Sequence, residues 1–497
     1  MTTDLSTTSS EVVETNSLRE VLMFCAVLIV EIYSLSVSFG GPFFEVGYFL
    51  LVVISQTFAG AYIWAKLRQT DKTLPLPELL AMGFAIGSAS AAISQLIIRD
   101  LLDIRLFLSP LIPIIGVAIW LITKRDPQLP VTITHANTNT LLWLLFPAPL
   151  ALSFFIWELY FVFIIPLFIL VIAMKSTRTA NEYLLMLALT VLSAVFGVLV
   201  RIAHPISVAL GLVGGDEIMD EGFAIGFTNW GIDAHIGRVG DSFAYYKLSH
   251  CWLGPLLELS GASPMIISTS VMPLTVFTFV GLALWSLSHV VFKYSDAANL
   301  AAILFFVGNS LPEPDNLAIR VGQCLVVVYL LTGVTALLKT WSIHSIEMLV
   351  VATAFFIIFA TRLQYGLFVL LGYSIHKLTM LIRHKVRFGH CLLLAIVVAL
   401  SLVLCFLIFF NEPAHATGTP NQESLLGLFL LLASFVAVRS IIPLLTLKRN
   451  LSVQFELPLL IVVSAILIFF LIPLSALANA PSLTIALLIS VFISQQV

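Results

Sequence analysis

The stretch Gly214-Gly215-Asp216-Glu217-Ile218-Met219-Asp220-Glu221-Gly222 places four carboxylates within six residues, just beyond an apolar run. Acids this close repel one another strongly when dry, so they require water, a cation or shared protons. In helical spacing Asp216 and Asp220 share one face, and Glu217 and Glu221 share another. Such a face suits a hard divalent cation, Mg²⁺ or Mn²⁺, with Asp220 and Glu221 as ligands. It equally suits a general base, Asp216 or Glu217, that deprotonates a hydroxyl. A solvated helix N-terminus carries the same residues, because the helix dipole favours anions there.

Aromatic residues follow. Phe223, Phe227 and Trp230 fall at i, i+4 and i+7, which predicts a helix lying in the membrane interface with its apolar face among the headgroups. Tyr245, Tyr246, His250 and Trp252 then lead back towards the membrane, as interface anchors or as groups that stack on a ligand. Asp233 and His235 form a D-x-H pair that lacks a third ligand at a diagnostic spacing. Downstream, Pro312-Glu313-Pro314-Asp315 is a proline-stiffened turn offering Glu313 and Asp315, either to the same site or to solvent.

Arg362 sits between two apolar runs, where a cation is expensive and marks function by default. A guanidinium there suits a phosphate or diphosphate of a lipid headgroup, which it grips in bidentate fashion; otherwise it snorkels as an anchor. Arg201 and Arg320, at the outer ends of their spans, are placed to join it. Glu31, Glu158 and Glu347 stand isolated, so nothing suggests a proton relay through the spans. There is no P-loop, no G-x-S-x-G and no H-E-x-x-H, which removes support for ATP-driven transport and two hydrolase classes.

The elements that must position these residues are membrane helices. Of 497 residues, 60% are hydrophobic and 10% charged, and the mean hydropathy is +1.06. Soluble domains are nearer about 45–50% apolar and about 25% charged, so a soluble enzyme, a nucleic-acid-binding module and a disordered chain are excluded. Net charge is −3 and points to no partner, and the five cysteines have neither paired nor ligand spacing. The first residues, 1–17, are polar and acidic, unlike a cleavable signal peptide, so the first apolar run is expected to remain as a span.

The fold expected is an all-α polytopic membrane protein of about 14–16 spans. Candidate spans are 20–39, 44–65, 77–98, 106–123, 139–155, 156–174, 182–203, 265–290, 297–311, 321–338, 346–361, 364–381, 388–411, 423–446, 455–476 and 480–495. With these limits the loops bearing Lys66, Arg68, Lys72, Lys124, Arg125, Lys175, Arg178, Lys293, Lys339, Arg383, Lys385, Arg387, Lys448 and Arg449 all fall on one side, the cytoplasm. The N-terminus then lies in the cytoplasm too. Arg99 and Arg105 fall on the outer side, offset by Asp100 and Asp103. Residues 204–264 form the one long external loop, and loops of that length are usually functional. The chain divides into an N-terminal module, 1–175, a core, 176–381, and C-terminal helices, 382–497.

Taken together, the acidic Gly-Asp-Glu motif, the aromatic helix after it, the second acidic loop and the outer basic residue resemble the GT-C glycosyltransferases. The resemblance covers roughly residues 182–381 and implies a polytopic enzyme using polyprenyl-phosphate sugars on the outer face. It implies Asp216 or Glu217 as catalytic base or metal ligand, Glu313 or Asp315 as the second-loop acid, and Arg362 near the donor phosphate. Tyr245 to Trp252 is similar to the family's aromatic stretch, which with Trp230, Asp233, His235 and His250 would contact substrate. Departures from the pattern are an acidic loop after the seventh span rather than the first, and an apolar end at Val497 in place of a soluble external domain. No N-x-S/T site falls in the external loops, which favours a bacterial plasma membrane. The alternative is a non-catalytic transporter or flippase of a lipid-linked or anionic solute, with the acidic loop as a gate.

Overall fold

A computed structural model describes residues 42–69, 73–104, 108–124, 132–133, 215–232, 247–261, 271–292, 321–341, 343–361, 363–383 and 385–409, with positions 29, 32, 33, 36 and 298. At 215–221 the description is of the backbone alone. The described residues are almost wholly helical. Among the described residues, four helices are long and apolar enough to cross a membrane: Phe43–Leu67, Leu76–Leu101, His344–Thr361 and Phe388–Phe409. Helix is what a long apolar run must form in lipid, since no other local structure satisfies its own backbone groups.

Two compact units divide the chain, residues 1–289 with 293–332, and residues 290–292 with 333–497. In the first, α1 (Phe43–Leu67) follows Pro42, and α2 (Leu76–Leu96) follows Pro75 with a further proline inside its first turn. Proline is favoured there because the first N–H groups of a helix have no partner to lose. Glu45 and Glu78 stand in the first turns and Lys66 in the last turn of α1, as the helix dipole favours. The two helices run antiparallel through Gly60, Gly83 and Gly87. A Cβ on any of these would enter the backbone of the facing helix, at Gly83, Thr57 and Gln56 respectively. Glycines spaced by four let membrane helices approach to backbone contact, where dispersion holds them without a hydrophobic drive.

α2 ends in a wider π-helical turn, Ile97–Leu101. A short helix, α3 (Ile112–Lys124), returns from there, and its Trp120 packs against Tyr62 with the Lys66 ammonium 5.5 Å from both ring centroids. A two-residue parallel bridge, Thr73–Leu74 with Thr132–Ile133, adds the described sheet contact. Helices α4 (Gly215–Trp230) and α5 (Lys247–Ser260) pack on each other. α6 (Val271–Phe292) stacks Phe279 on Phe84, and Tyr329 of α7 (Val321–Leu338) donates to Ser88 at 3.0 Å. The second unit contains α8 (His344–Thr361), α9 (Leu363–Ile382) and α10 (Phe388–Phe409). α8 and α9 form an antiparallel hairpin, in which Phe355 meets Tyr373 and Gly366 lies beneath the Phe359 ring.

Candidate functional site

The four acids occupy the start of a helix, as their spacing predicts. α4 begins at Gly215, so Asp216, Glu217, Asp220 and Glu221 lie in its first two turns. Unpaired N–H groups and the helix dipole make this the end that accepts anions. Positions 216 and 220 continue the helical stripe of Phe223 and Phe227; positions 217 and 221 lie on the stripe beside it.

At Phe223 and Phe227 that stripe is covered by protein. Phe223 and Phe227 are buried, and both rings meet the His250 imidazole edge-on at centroid distances of 6.1 and 5.7 Å. The expectation that they would face lipid headgroups is therefore corrected. Periodicity shows that a helix has an apolar face, and here α5 covers it. α5 approaches closely because Gly254 faces the Ala224 carbonyl and the Thr228 hydroxyl with no room for a Cβ. Trp230 is the exposed member of the set, at 68%. His250 is buried, a packing partner of α4 in this arrangement.

Nor does α5 lie flat beyond the ends of the spans. Trp252 donates its indole N–H to the Gln56 carbonyl oxygen at 2.9 Å, and Gln56 sits near the middle of α1. The same indole meets Phe84 of α2 edge-on at 5.6 Å. Gln56 in turn donates to the Pro110 carbonyl at 2.8 Å, and Ser109 donates to Gln95 at 2.6 Å. The segment expected to carry in-plane helices thus contributes a helix that packs at mid-length between α1 and α2.

The far end of α4 is clamped. Arg99 donates to the Asn229 carbonyl at 3.0 Å, and the Asp100 carboxylate accepts the Ile232 N–H at 2.9 Å. Arg99 also pairs with Asp103. A cation beside the last carbonyls of a helix completes bonds the helix cannot make itself and complements its dipole. Gly231 makes this approach possible: its φ is +92°, and a Cβ there would lie 2.6 Å from Asp100 Oδ1. The π turn of α2 shifts the register just where Arg99 and Asp100 must be aimed. In sequence these residues register only as offset charges at the outer end of a span. The contact joins two segments that charge asymmetry puts on the same outer side.

A second polar cluster was hidden by its spacing. Glu347, isolated in sequence, accepts from Lys377 Nζ at 3.0 Å through Oε1, while Oε2 lies 3.1 Å from His390 Nε2 and 3.8 Å from His344 Nδ1. Only His344-x-x-Glu347 is local; Lys377 and His390 arrive with α9 and α10.

Helix α8 ends at Thr361 and α9 starts at Leu363. Arg362 itself lies outside the described residues, as do Arg201, Asp233, His235, Tyr245, Tyr246, Glu313, Asp315 and Arg320. No family model, curated protein or solved structure matches the chain.

Proposed function

We propose that this protein is a membrane glycosyltransferase, moving a sugar from a polyprenyl-phosphate donor to a cell-envelope glycan, lipid or protein acceptor on the outer face of a bacterial plasma membrane. The observation that carries the reading is the anchoring of α4. Arg99 and Asp100 hold its far end and α5 covers its side, so the acidic turns stand on a rigid element. Carboxylates that only solvate a loop need no such support; a base must be held to a fraction of an ångström.

In this account Asp216 or Glu217 takes the proton of the acceptor hydroxyl as its oxygen attacks the anomeric carbon. The bond from that carbon to the phosphate oxygen breaks, and polyprenyl phosphate leaves. Arg362, with Arg201 and Arg320, holds the departing phosphate. Trp230, Asp233, His235, Tyr245 and Tyr246 contact sugar and acceptor, while His250 packs against Phe223 and Phe227. Helical placement of Asp220 and Glu221, with Glu313 and Asp315 from the next acidic loop, suits the oxygen-rich donor set of Mg²⁺ or Mn²⁺, which would offset phosphate charge.

Reconstitution in proteoliposomes tests this against a transporter or flippase. Supplied with polyprenyl-phosphate sugars and an acceptor, the protein should form a glycosylated product. Movement of the lipid-linked sugar across the bilayer without product would replace the enzyme by the transporter.

A further inference from the structure

The cluster around Glu347 takes no part in the chemistry above. His344 and Glu347 lie in the first turn of α8 and His390 in the first turn of α10. One nitrogen from each imidazole and one carboxylate oxygen lie within 4.8 Å of one another. The Lys377 ammonium, 19% exposed, takes Oε1 of Glu347 and leaves Oε2 turned to both rings. A carboxylate fixed through its second oxygen is how metal sites orient their ligands.

We infer that His344, Glu347 and His390 form a binding site for a transition-metal dication of the zinc class, tying the first turn of α8 to that of α10. Two imidazoles and one carboxylate are a ligand set Zn²⁺ prefers, with a fourth position left for water or a small anion. Mg²⁺ and Ca²⁺ prefer all-oxygen ligation and are disfavoured here. Around Zn²⁺ with bonds of about 2.0–2.1 Å, tetrahedral ligand atoms stand about 3.4 Å apart. The His390–Glu347 pair at 3.1 Å and the His344–Glu347 pair at 3.8 Å already bracket that spacing. The ligand nitrogens of the two rings also lie within 4.8 Å of each other, and His344, whose side chain is 74% exposed, is free to rotate to the tetrahedral spacing.

The site lies at the end of the unit flanked by Lys339, Arg383, Lys385 and Arg387, the end that charge asymmetry assigns to the cytoplasm. Its residues are distinct from those of the acidic turns of α4. Those basic neighbours favour an anion over water in the fourth position.

The test uses tag-free, full-length protein in detergent, stripped with a chelator and titrated with Zn²⁺ against a chromophoric competitor. One equivalent should bind and raise Tm, and Co²⁺ in its place should give the visible absorption of a low-coordinate site. Excess Mg²⁺ should not compete. His390→Ala and Glu347→Gln should each weaken binding ~10–100-fold or more. His344→Ala should do the same with the metal-free Tm unchanged, because that ring is exposed, so this variant decides the matter even if the other two fail to fold. Absence of stoichiometric binding overturns the site, and so does wild-type affinity in His344→Ala.

Discussion

The two units treat polar residues in opposite ways. In the first, polar side chains bond across between elements: Trp252 to Gln56, Gln56 to Pro110, Ser109 to Gln95, Tyr329 to Ser88. In the second, ion pairs gather at one end around Glu347, and α10 carries exposed Leu392, Leu393, Leu400, Leu404 and Leu407 along its length. Burial follows the same division, with 67% of the apolar window of Leu76–Leu101 buried against 28% in Phe388–Phe409. In a bilayer, apolar contact alone selects no register, because lipid is as good a neighbour as leucine. Cross-helix hydrogen bonds and glycine contacts do select one. The first unit is therefore built for position, and α4 is the element it positions; in the second, α10 is exposed along its length and the described ion pairs stand at one end.

Glycine substitutions should divide the units most sharply. Gly87→Leu drives a side chain into the backbone of α1 at Gln56. Overpacking costs ~1–3 kcal/mol and more where backbone must move, so this variant should fail to give a monodisperse folded protein. Gly389→Leu, with nothing within 4 Å of its Cβ, should melt within ~0.5 kcal/mol of wild type. Size-exclusion profiles and thermal melts in detergent read both. Equal tolerance of the two would break the comparison.

Next in size is the clamp. Asp100→Ala leaves the Ile232 N–H without its acceptor, at a cost of ~1–3 kcal/mol. Hydrogen exchange should rise in 225–232 while α8 to α10 are unchanged. Exchange rising evenly over both units would mean that Asp100 supports the whole fold rather than α4. Smaller again, Trp252→Phe keeps the ring contact with Phe84 and removes the donor to Gln56. It should lower stability by ~1 kcal/mol, as thermal melts would show, and leave the Glu347 cluster's metal affinity unchanged.

What the sequence reveals follows from the same physics. Spans expected at 44–65, 77–98, 321–338, 364–381 and 388–411 correspond to helices within a few residues, because a long apolar run in lipid has one local solution. The helical start at Asp216 was legible from acids crowding one turn ahead of an aromatic stripe. What covers that stripe was not: a period reports an apolar face, never whether lipid or protein meets it. Asp100 with Ile232 and Trp252 with Gln56 are 132 and 196 residues apart, and such partners depend on how helices cross. Glu347 looked solitary for the same reason, since its partners come from two other helices.

The central claim is that the acidic turns of α4 perform chemistry on a scaffold built to hold them. It is tested most directly by the rate of sugar transfer from a polyprenyl-phosphate donor by purified wild-type, Asp216→Asn, Glu217→Gln and Glu258→Gln protein. Asn and Gln keep size and hydrogen bonding while removing basicity. Loss of a general base costs ~10²–10⁴-fold, so Asp216→Asn or Glu217→Gln should fall by that much. Glu258→Gln, on the exposed side of α5, should stay within a few-fold. Near-normal turnover in both α4 variants would contradict the claim and leave the acidic run as a solvated helix start.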